Sequence, residues 1–399
     1  MILAKDVSYY QQEALRKARE GHTHLPIAVT ATRLGDGTYK VLSYLADDVW
    51  RFPNAIFPPG TADHDKCIRF GKIPERWRSV LKIVMLEYYL NGIEGRVRPV
   101  GSSLISFFKN VSLFLKFAGV YVECLSEISE FLCMQYVNYL KNSRSRSGDK
   151  FSKSYLCTRL SSVHTLHLLS KVTTTPMVHP WPESSATELS GANRAHWAQS
   201  KTLPIPDNKL AEIFRAAVSR LERADETLAL AEMVSDWQAQ YSYSGTVNAK
   251  LAATGYRGGI LGLRLEKNLL LDACSIVILL TSGIRVSELM SLKVGAHYVR
   301  DGEDGTKFYW MSGVSTKTKE GKVDWLVTKL THEALDVAGK VTAEIRAELN
   351  DRYSLAKSAN NLIEMHDYEA HLDSLFLGWG GHAHKLQVFA AQTIRDGLK

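Results

Sequence analysis

The amino-acid sequence predicts a mainly α-helical protein with one small β-hairpin, an α+β chain built from more than one domain. Three observations lead to this fold class. Apolar residues recur at helical spacing through most of the chain. Only Lys307–Val327 shows the alternation and the aromatic and β-branched residues of a strand pair. Finally, 399 residues exceed the usual size of a single core, so we expect two or three domains.

Residues 1–95 are predicted to form an N-terminal region of unknown role. It begins with a short helical stretch and continues as irregular sequence in which prolines and glycines mark turns. It closes with an apolar-periodic segment, residues 79–90, which we expect to be a helix.

Residues 96–172 are predicted to be a compact helical domain. Three apolar stripes at i, i+3, i+4 and i+7 spacing each define a helix, and Ser129 is placed to cap the second. The stripes consist of Leu104, Phe107, Phe108, Val111, Phe114 and Ala118; of Leu132, Tyr136 and Leu140; and of Leu156, Leu160, Val163 and Leu166.

Residues 173–204 are rich in Pro, Gly and Ser and are predicted to be a linker to a third domain, residues 205–399. This domain should open with a helix capped by Asp207, because an amphipathic face follows it. It should then contain the strand pair Lys307–Val327 and a single helix over residues 334–349.

Composition and charge narrow the class of protein. Lys and Arg outnumber Asp and Glu by 49 to 42, a balance that suits a polyanionic partner but also occurs in proteins that bind no nucleic acid. The five cysteines include no CxxC pair, as expected of a reduced cytoplasmic protein. The longest apolar run, Leu269–Leu280, is too short to span a bilayer, and the start does not resemble a signal peptide. We expect no membrane association.

The segment Thr281–Leu292, with the sequence TSGIRVSELMSL, contains the main chemical motif. A Ser-Gly turn separates an apolar helix from a second short helix that begins near Val286. Arg285 and Glu288 are three residues apart and can share a helical face. From the spacing alone, a surface ion pair remains an alternative.

This motif resembles the signature around the first catalytic arginine of the tyrosine-type site-specific recombinases, or phage integrases. The resemblance implies that Arg285 contacts the scissile phosphate and that Glu288 supports the active site. It also implies a double-stranded DNA partner, a homotetramer assembled on that DNA, and a role in DNA integration by a mobile element. No metal and no other cofactor are implied.

A second similarity covers Ser315–Val327, with the sequence STKTKEGKVDWLV. The family carries a catalytic lysine on a β-hairpin in a setting much like T-K-x-K-x-x-x-V. Lys317 matches that position best and Lys319 is its nearest competitor. A solubilising, positively charged hairpin tip is the alternative.

The helical residues 96–172 resemble the core-binding domain of the same enzymes, which clamps DNA opposite the catalytic domain. The loop between its second and third helices holds six basic residues and one acidic residue, Asp149. We expect these basic side chains to contact DNA phosphates, although a solvated loop without a partner remains an alternative. They are Lys141, Arg144, Arg146, Lys150, Lys153 and Arg159.

The implied chemistry explains the residue types. A tyrosine hydroxyl attacks phosphorus to form a phosphotyrosyl link, guanidinium groups stabilise the non-bridging oxygens, and a lysine protonates the departing 5′ oxygen. The family also uses a His-x-x-Arg motif and a later Tyr. Here Leu375-Phe376 resembles the preceding strand end, yet no His-x-x-Arg follows and no Tyr occurs after Tyr368. We therefore expect residues 385–399 to be a helix before the missing motif, and the 399 residues to be inactive in cleavage.

Two other functions remain open. A non-catalytic DNA-binding relative of the integrases would hold its sites without cutting them. A helical interaction protein with no role in nucleic-acid binding would leave the two linked motifs unexplained.

Overall fold

The computed structural model describes residues 2–3, 6–58, 60–192, 204–315, 321–380 and 385–388. The chain divides into two compact units, residues 1–57 with 62–203 and residues 58–61 with 204–399. As expected, the architecture is mainly helical with small antiparallel sheets. No helix in the described ranges is both long and apolar enough to cross a membrane.

The N-terminal part of the first unit is an α+β arrangement, so the prediction of irregular sequence between two helices was wrong. The elements are β1 (Ile2–Leu3), α1 (Val7–Arg19), β2 (Ala28–Arg33), β3 (Tyr39–Tyr44), β4 (Val49–Arg51), β5 (Cys67–Arg69) and α2 (Glu75–Leu90). One sheet has the order β1-β3-β2, and β4 pairs separately with β5, all antiparallel. Hydrophobic alternation does not predict β1, β4 and β5 because they are too short, and the longer β2 begins with four consecutive buried residues and so does not alternate.

The three helices predicted from apolar stripes are all present in the first unit. They are α3 (Gly101–Ala118), α4 (Glu130–Asn142) and α5 (Lys153–Ser170), with a short α6 (Ala186–Leu189) after them. Ser129 caps α4 as expected, since its hydroxyl accepts a hydrogen bond from the Leu132 N–H at 3.3 Å. Residues on both sides of position 95 contribute to one hydrophobic core, among them Trp50, Trp77 and Phe114.

The second unit contains eight helices in the ranges that the structure describes. Its first helix begins at Asp207 and has Pro206 as its N-cap, so the predicted cap was displaced by one residue. The segment 334–349 is divided between two helices at Thr342 and does not form one helix. The helices are α7 (Asp207–Glu222), α8 (Ala224–Gln240), α9 (Ser244–Ala253), α10 (Gly259–Ser282), α11 (Val286–Leu289), α12 (Lys329–Val341), α13 (Ala343–Ser358) and α14 (Leu362–Glu369).

The predicted strand pair is present as β7 (Lys307–Ser315) and β8 (Gly321–Val327), and a third strand, β6 (His297–Asp301), pairs with β7. One face of this sheet packs on the core of the second unit through Met311 and Val327. The opposite face includes the exposed Phe308, Val314 and Leu326. Sequence reasoning missed β6 because its short polar-rich segment shows no clear alternation.

The prediction of a helix over residues 385–399 was wrong for its described part. Lys385–Val388 is a strand, β10, which pairs antiparallel with β9 (Leu377–Gly380). Residues 389–399 lie outside the described residues.

Candidate functional site

The corner between α10 and α11 positions Arg285. Gly283 ends α10 in the left-handed conformation, with φ 67°, and its N–H bonds the Leu279 carbonyl at 3.0 Å. A side chain at this position would strain the backbone. Ile284 and Leu289, 6% and 0% exposed, anchor the corner in the core, so Arg285 becomes the N-cap residue of α11.

Glu288 is a buried carboxylate with three hydrogen-bond donors. Only 3% of its side chain is exposed. Its Oε2 accepts the Arg285 backbone N–H at 2.8 Å, and its Oε1 accepts both the Arg285 Nη1 at 2.7 Å and the Ser315 hydroxyl at 2.9 Å. Burial by itself raises the pKa of Glu288. The hydrogen bonds from the Arg285 backbone, from Ser315 and from the guanidinium outweigh that effect and hold the pKa below its usual range.

The ion pair of Arg285 with Glu288 is unlike an ordinary surface pair. The arginine side chain is 49% exposed whereas its partner is buried, so one edge of the guanidinium is held while the rest faces solvent. A surface pair would leave both groups in water and would be worth little. A half-exposed, oriented guanidinium can offer its other N–H groups to an anion.

A chain of threonine hydroxyls connects the end of α10 to the start of α12 below this corner. The Thr281 hydroxyl lies 2.8 Å from that of Thr331, which lies 3.0 Å from that of Thr328. Thr331 is fully buried, and its hydroxyl shares hydrogen bonds with both neighbours. These bonds fix the helix end that precedes Arg285.

Lys317 and its competitor Lys319 lie outside the described residues. The strands on either side are described, and the pairing of Ser315 with Gly321 closes the ladder next to this segment. The catalytic assignment of Lys317 therefore stays a prediction. Sequence reasoning missed Ser315, because its contact with Glu288 joins residues that are 27 positions apart and carries no local signal.

The basic loop of the first unit is an ordered tight turn. Arg144 and Lys150 form an antiparallel bridge, and the Ser145 N–H bonds the Asp149 carbonyl at 2.8 Å. Gly148 adopts a left-handed φ of 87°, and its N–H bonds the Ser145 carbonyl at 3.0 Å. Arg146 is therefore the second residue of the four-residue turn from Ser145 to Gly148.

Five of the six predicted DNA-binding side chains are exposed, and none of the five forms an ion pair within the part of the chain that the structure describes. The one acidic residue of the turn, Asp149, instead accepts the Ser147 hydroxyl at 2.7 Å. The turn thus presents several positive charges that form no ion pair with Asp149 in the described ranges. The five residues are Lys141, Arg144, Arg146, Lys150 and Lys153.

Arg159 has a different environment. It is half-buried on α5, and its guanidinium lies 4.6 Å from the centre of the Tyr155 ring and bonds the Tyr155 hydroxyl. Tyr155 itself stacks on Phe151 with ring centres 4.4 Å apart. Arg159 thus packs against the first turn of its own helix, and its role as a DNA contact stays a prediction.

Comparisons of the chain with protein-family models, with curated proteins and with solved structures found no match.

Proposed function

We propose that this chain is a DNA-binding protein of the tyrosine-recombinase type, which engages a phosphodiester through Arg285 in site-specific DNA breakage and rejoining. The observation that carries the proposal is the buried Glu288, which holds a half-exposed guanidinium in a fixed direction. The resemblance of Thr281–Leu292 to the recombinase signature assigns the reaction.

The site suits a phosphodiester because of its charge and geometry. Negative charge accumulates on the non-bridging phosphate oxygens as an alkoxide is exchanged, and a fixed guanidinium stabilises it without a metal. The carboxylate of Glu288 orients one edge of the group through Nη1. The N–H groups on its other edge have the planar spacing that matches two phosphate oxygens.

The proposed reaction conserves the energy of the phosphodiester bond. A tyrosine oxygen attacks phosphorus, the bond to the 5′ oxygen breaks, and that oxygen takes a proton, which we assign to Lys317. The attack of a 5′ hydroxyl on the phosphotyrosyl link reverses these steps and rejoins a strand. The second arginine and the nucleophilic tyrosine of the family have no counterpart identified in these 399 residues.

The basic turn of the first unit supports the DNA-binding part of the proposal. Five exposed cations without ion-pair partners in the described ranges would contact the phosphate backbone of duplex DNA and release its counterions. Such contacts fix position and do not read sequence.

A non-catalytic DNA-binding relative is the second candidate. The basic turn favours it, since this turn needs no catalytic group to hold DNA. Both candidates predict duplex binding, and they differ in whether a covalent protein–DNA link forms once a tyrosine and a second arginine are supplied.

Selection from a pool of random-sequence duplexes tests the proposal. We expect repeated rounds of binding to the 399-residue chain to enrich one sequence, and Arg285→Lys to bind that sequence more weakly. Duplex binding that enriches no sequence and is unchanged in Arg285→Lys would overturn the proposed function.

A further inference from the structure

Ser315 joins the sheet to the corner that carries Arg285. It is the last residue of β7 and is 4% exposed, and its hydroxyl donates to the Glu288 Oε1 at 2.9 Å. The alternation along β7 directs Ser315 toward the same side as the buried Met311, whereas Ser312 bonds Asp324 on the opposite face. The direction of the Ser315 side chain toward Glu288 is therefore determined by the alternation of side chains along the paired strand.

The three donors to Glu288 differ in one important respect. The Arg285 backbone N–H and the Ser315 hydroxyl belong to a helix cap and a strand, which hold their places when a side chain rotates. The guanidinium is the half-exposed donor. When it shares its N–H groups with a phosphate, the two buried donors still satisfy one carboxylate oxygen each, so the buried charge is not left unpaired.

We propose that Ser315 is a positioning residue, which keeps the Glu288 carboxylate correctly oriented so that Arg285 can engage a phosphodiester. The role toward a phosphodiester rests on the proposed function. The coupling of Ser315 to the guanidinium through Glu288 does not depend on it.

The Ser315 hydroxyl also influences the protonation of Glu288. In the wild-type chain, burial raises the pKa of Glu288, but the hydrogen bonds from the Arg285 backbone, from Ser315 and from the guanidinium outweigh that effect and hold the pKa below its usual range. Removing the Ser315 hydroxyl takes away one of the interactions that lower the pKa of Glu288, while the burial that raises it remains. The carboxylate then takes up its proton, and releases the guanidinium, at a higher pH.

Nuclear magnetic resonance of the arginine Nε–H groups in the full ¹⁵N-labelled chain measures this directly. The resonance of Arg285 is assigned by its loss in Arg285→Lys and is followed during a pH titration. We expect the midpoint of its shift to move to higher pH in Ser315→Ala and to stay at the wild-type position in Ser315→Thr, which keeps a hydroxyl. Ser312→Ala, which removes a hydroxyl from the opposite face of the same strand, is the matched control and should also behave as wild type.

An unchanged midpoint in Ser315→Ala would overturn the inference, as would an equal displacement in Ser312→Ala. If Ser315→Ala does not fold, Ser315→Cys replaces it, because a thiol is a weaker donor and should move the midpoint in the same direction.

A second measurement separates this inference from the proposed function. Below its own midpoint, Ser315→Ala should bind duplex DNA up to about tenfold more weakly than the wild type at the same pH, the effect of one charge-assisted hydrogen bond. A displaced midpoint with unchanged duplex affinity would leave the coupling of Ser315 to Arg285 intact and would reject the phosphodiester role of the site. An unchanged midpoint with a salt-dependent, sequence-specific affinity would reject the coupling of Ser315 to Arg285 and would leave the phosphodiester role of the site intact.

Discussion

Removing charge from the basic turn should reduce the salt dependence of DNA binding by a calculable amount. The change is the triple substitution of Arg144, Arg146 and Lys150 by Ser, at exposed positions of the bridged turn. Each cation that neutralises one phosphate contributes about −0.9 to the slope of log affinity against log salt concentration. The five exposed cations thus predict a slope of about −4.5 from this surface, and the triple variant should lose about 2.7 of it.

The affinity for duplex DNA should change accordingly. Between about 50 and 200 mM salt, a slope of −4.5 weakens binding about 500-fold, whereas the slope that remains in the triple variant weakens it about tenfold. Fluorescence anisotropy with a labelled duplex across a salt series measures both slopes. Any further contribution from the second unit adds equally to the two proteins and cancels in the difference.

The control removes the same amount of positive charge elsewhere. Arg16, Lys209 and Arg223 are exposed, and each is paired with a glutamate three residues away along the chain. Their substitution by Ser should leave the slope near the wild-type value, because these cations already have a counter-charge. If the two triple variants lose salt dependence equally, net charge and not the turn determines binding, and the assignment of this surface is wrong.

Glu288→Ala should lower the free energy of unfolding by about 2–4 kcal/mol in urea denaturation, because it leaves buried donors without an acceptor; a loss below 1 kcal/mol would contradict the buried network. His164 and His179 have ring centres 5.1 Å apart, and burial followed by the charge of neighbouring imidazoles and other cations lowers the pKa of both. Because the lowered pKa makes the folded chain bind these protons less readily than the unfolded chain, the contribution of both histidines to the free energy of unfolding should be complete above about pH 6.5 and should fall as the pH decreases. The double substitution of both histidines by Gln should remove much of this pH dependence. The 399-residue chain should form no denaturation-resistant adduct with a nicked duplex of the selected sequence, and an adduct in gel electrophoresis would refute that expectation. In a chain supplied with the nucleophile and second arginine, Lys317→Ala should be rescued by a 5′ leaving group that needs no proton, whereas Arg285→Lys should lose about a hundredfold in cleavage rate without rescue.

Local sequence patterns were sufficient to predict much of the helical architecture. The stripe from Leu104 to Ala118 and the hydroxyl of Ser129 depend on residues within one or two turns of each other, so the sequence shows them directly. The corner at Gly283 was equally accessible, since a residue with positive φ after an apolar run is a local requirement. The Arg285–Glu288 contact also follows from helical spacing.

Only the tertiary structure decided which of these local features differ from ordinary surface ones. Sequence spacing is the same for an exposed ion pair and for one whose carboxylate is buried. The burial of Glu288, and its hydrogen bond from Ser315 on a strand 27 residues away, appear only in the folded chain. In the same way, Arg159 packs on Tyr155 and is half-buried, whereas the other five basic residues predicted with it are exposed. Strands such as Lys385–Val388 depend on a partner strand for their hydrogen bonds, and their own residues do not identify that partner. Helical periodicity is a property of the local chain, whereas strand pairing, burial and charge isolation are properties of neighbours brought together by folding.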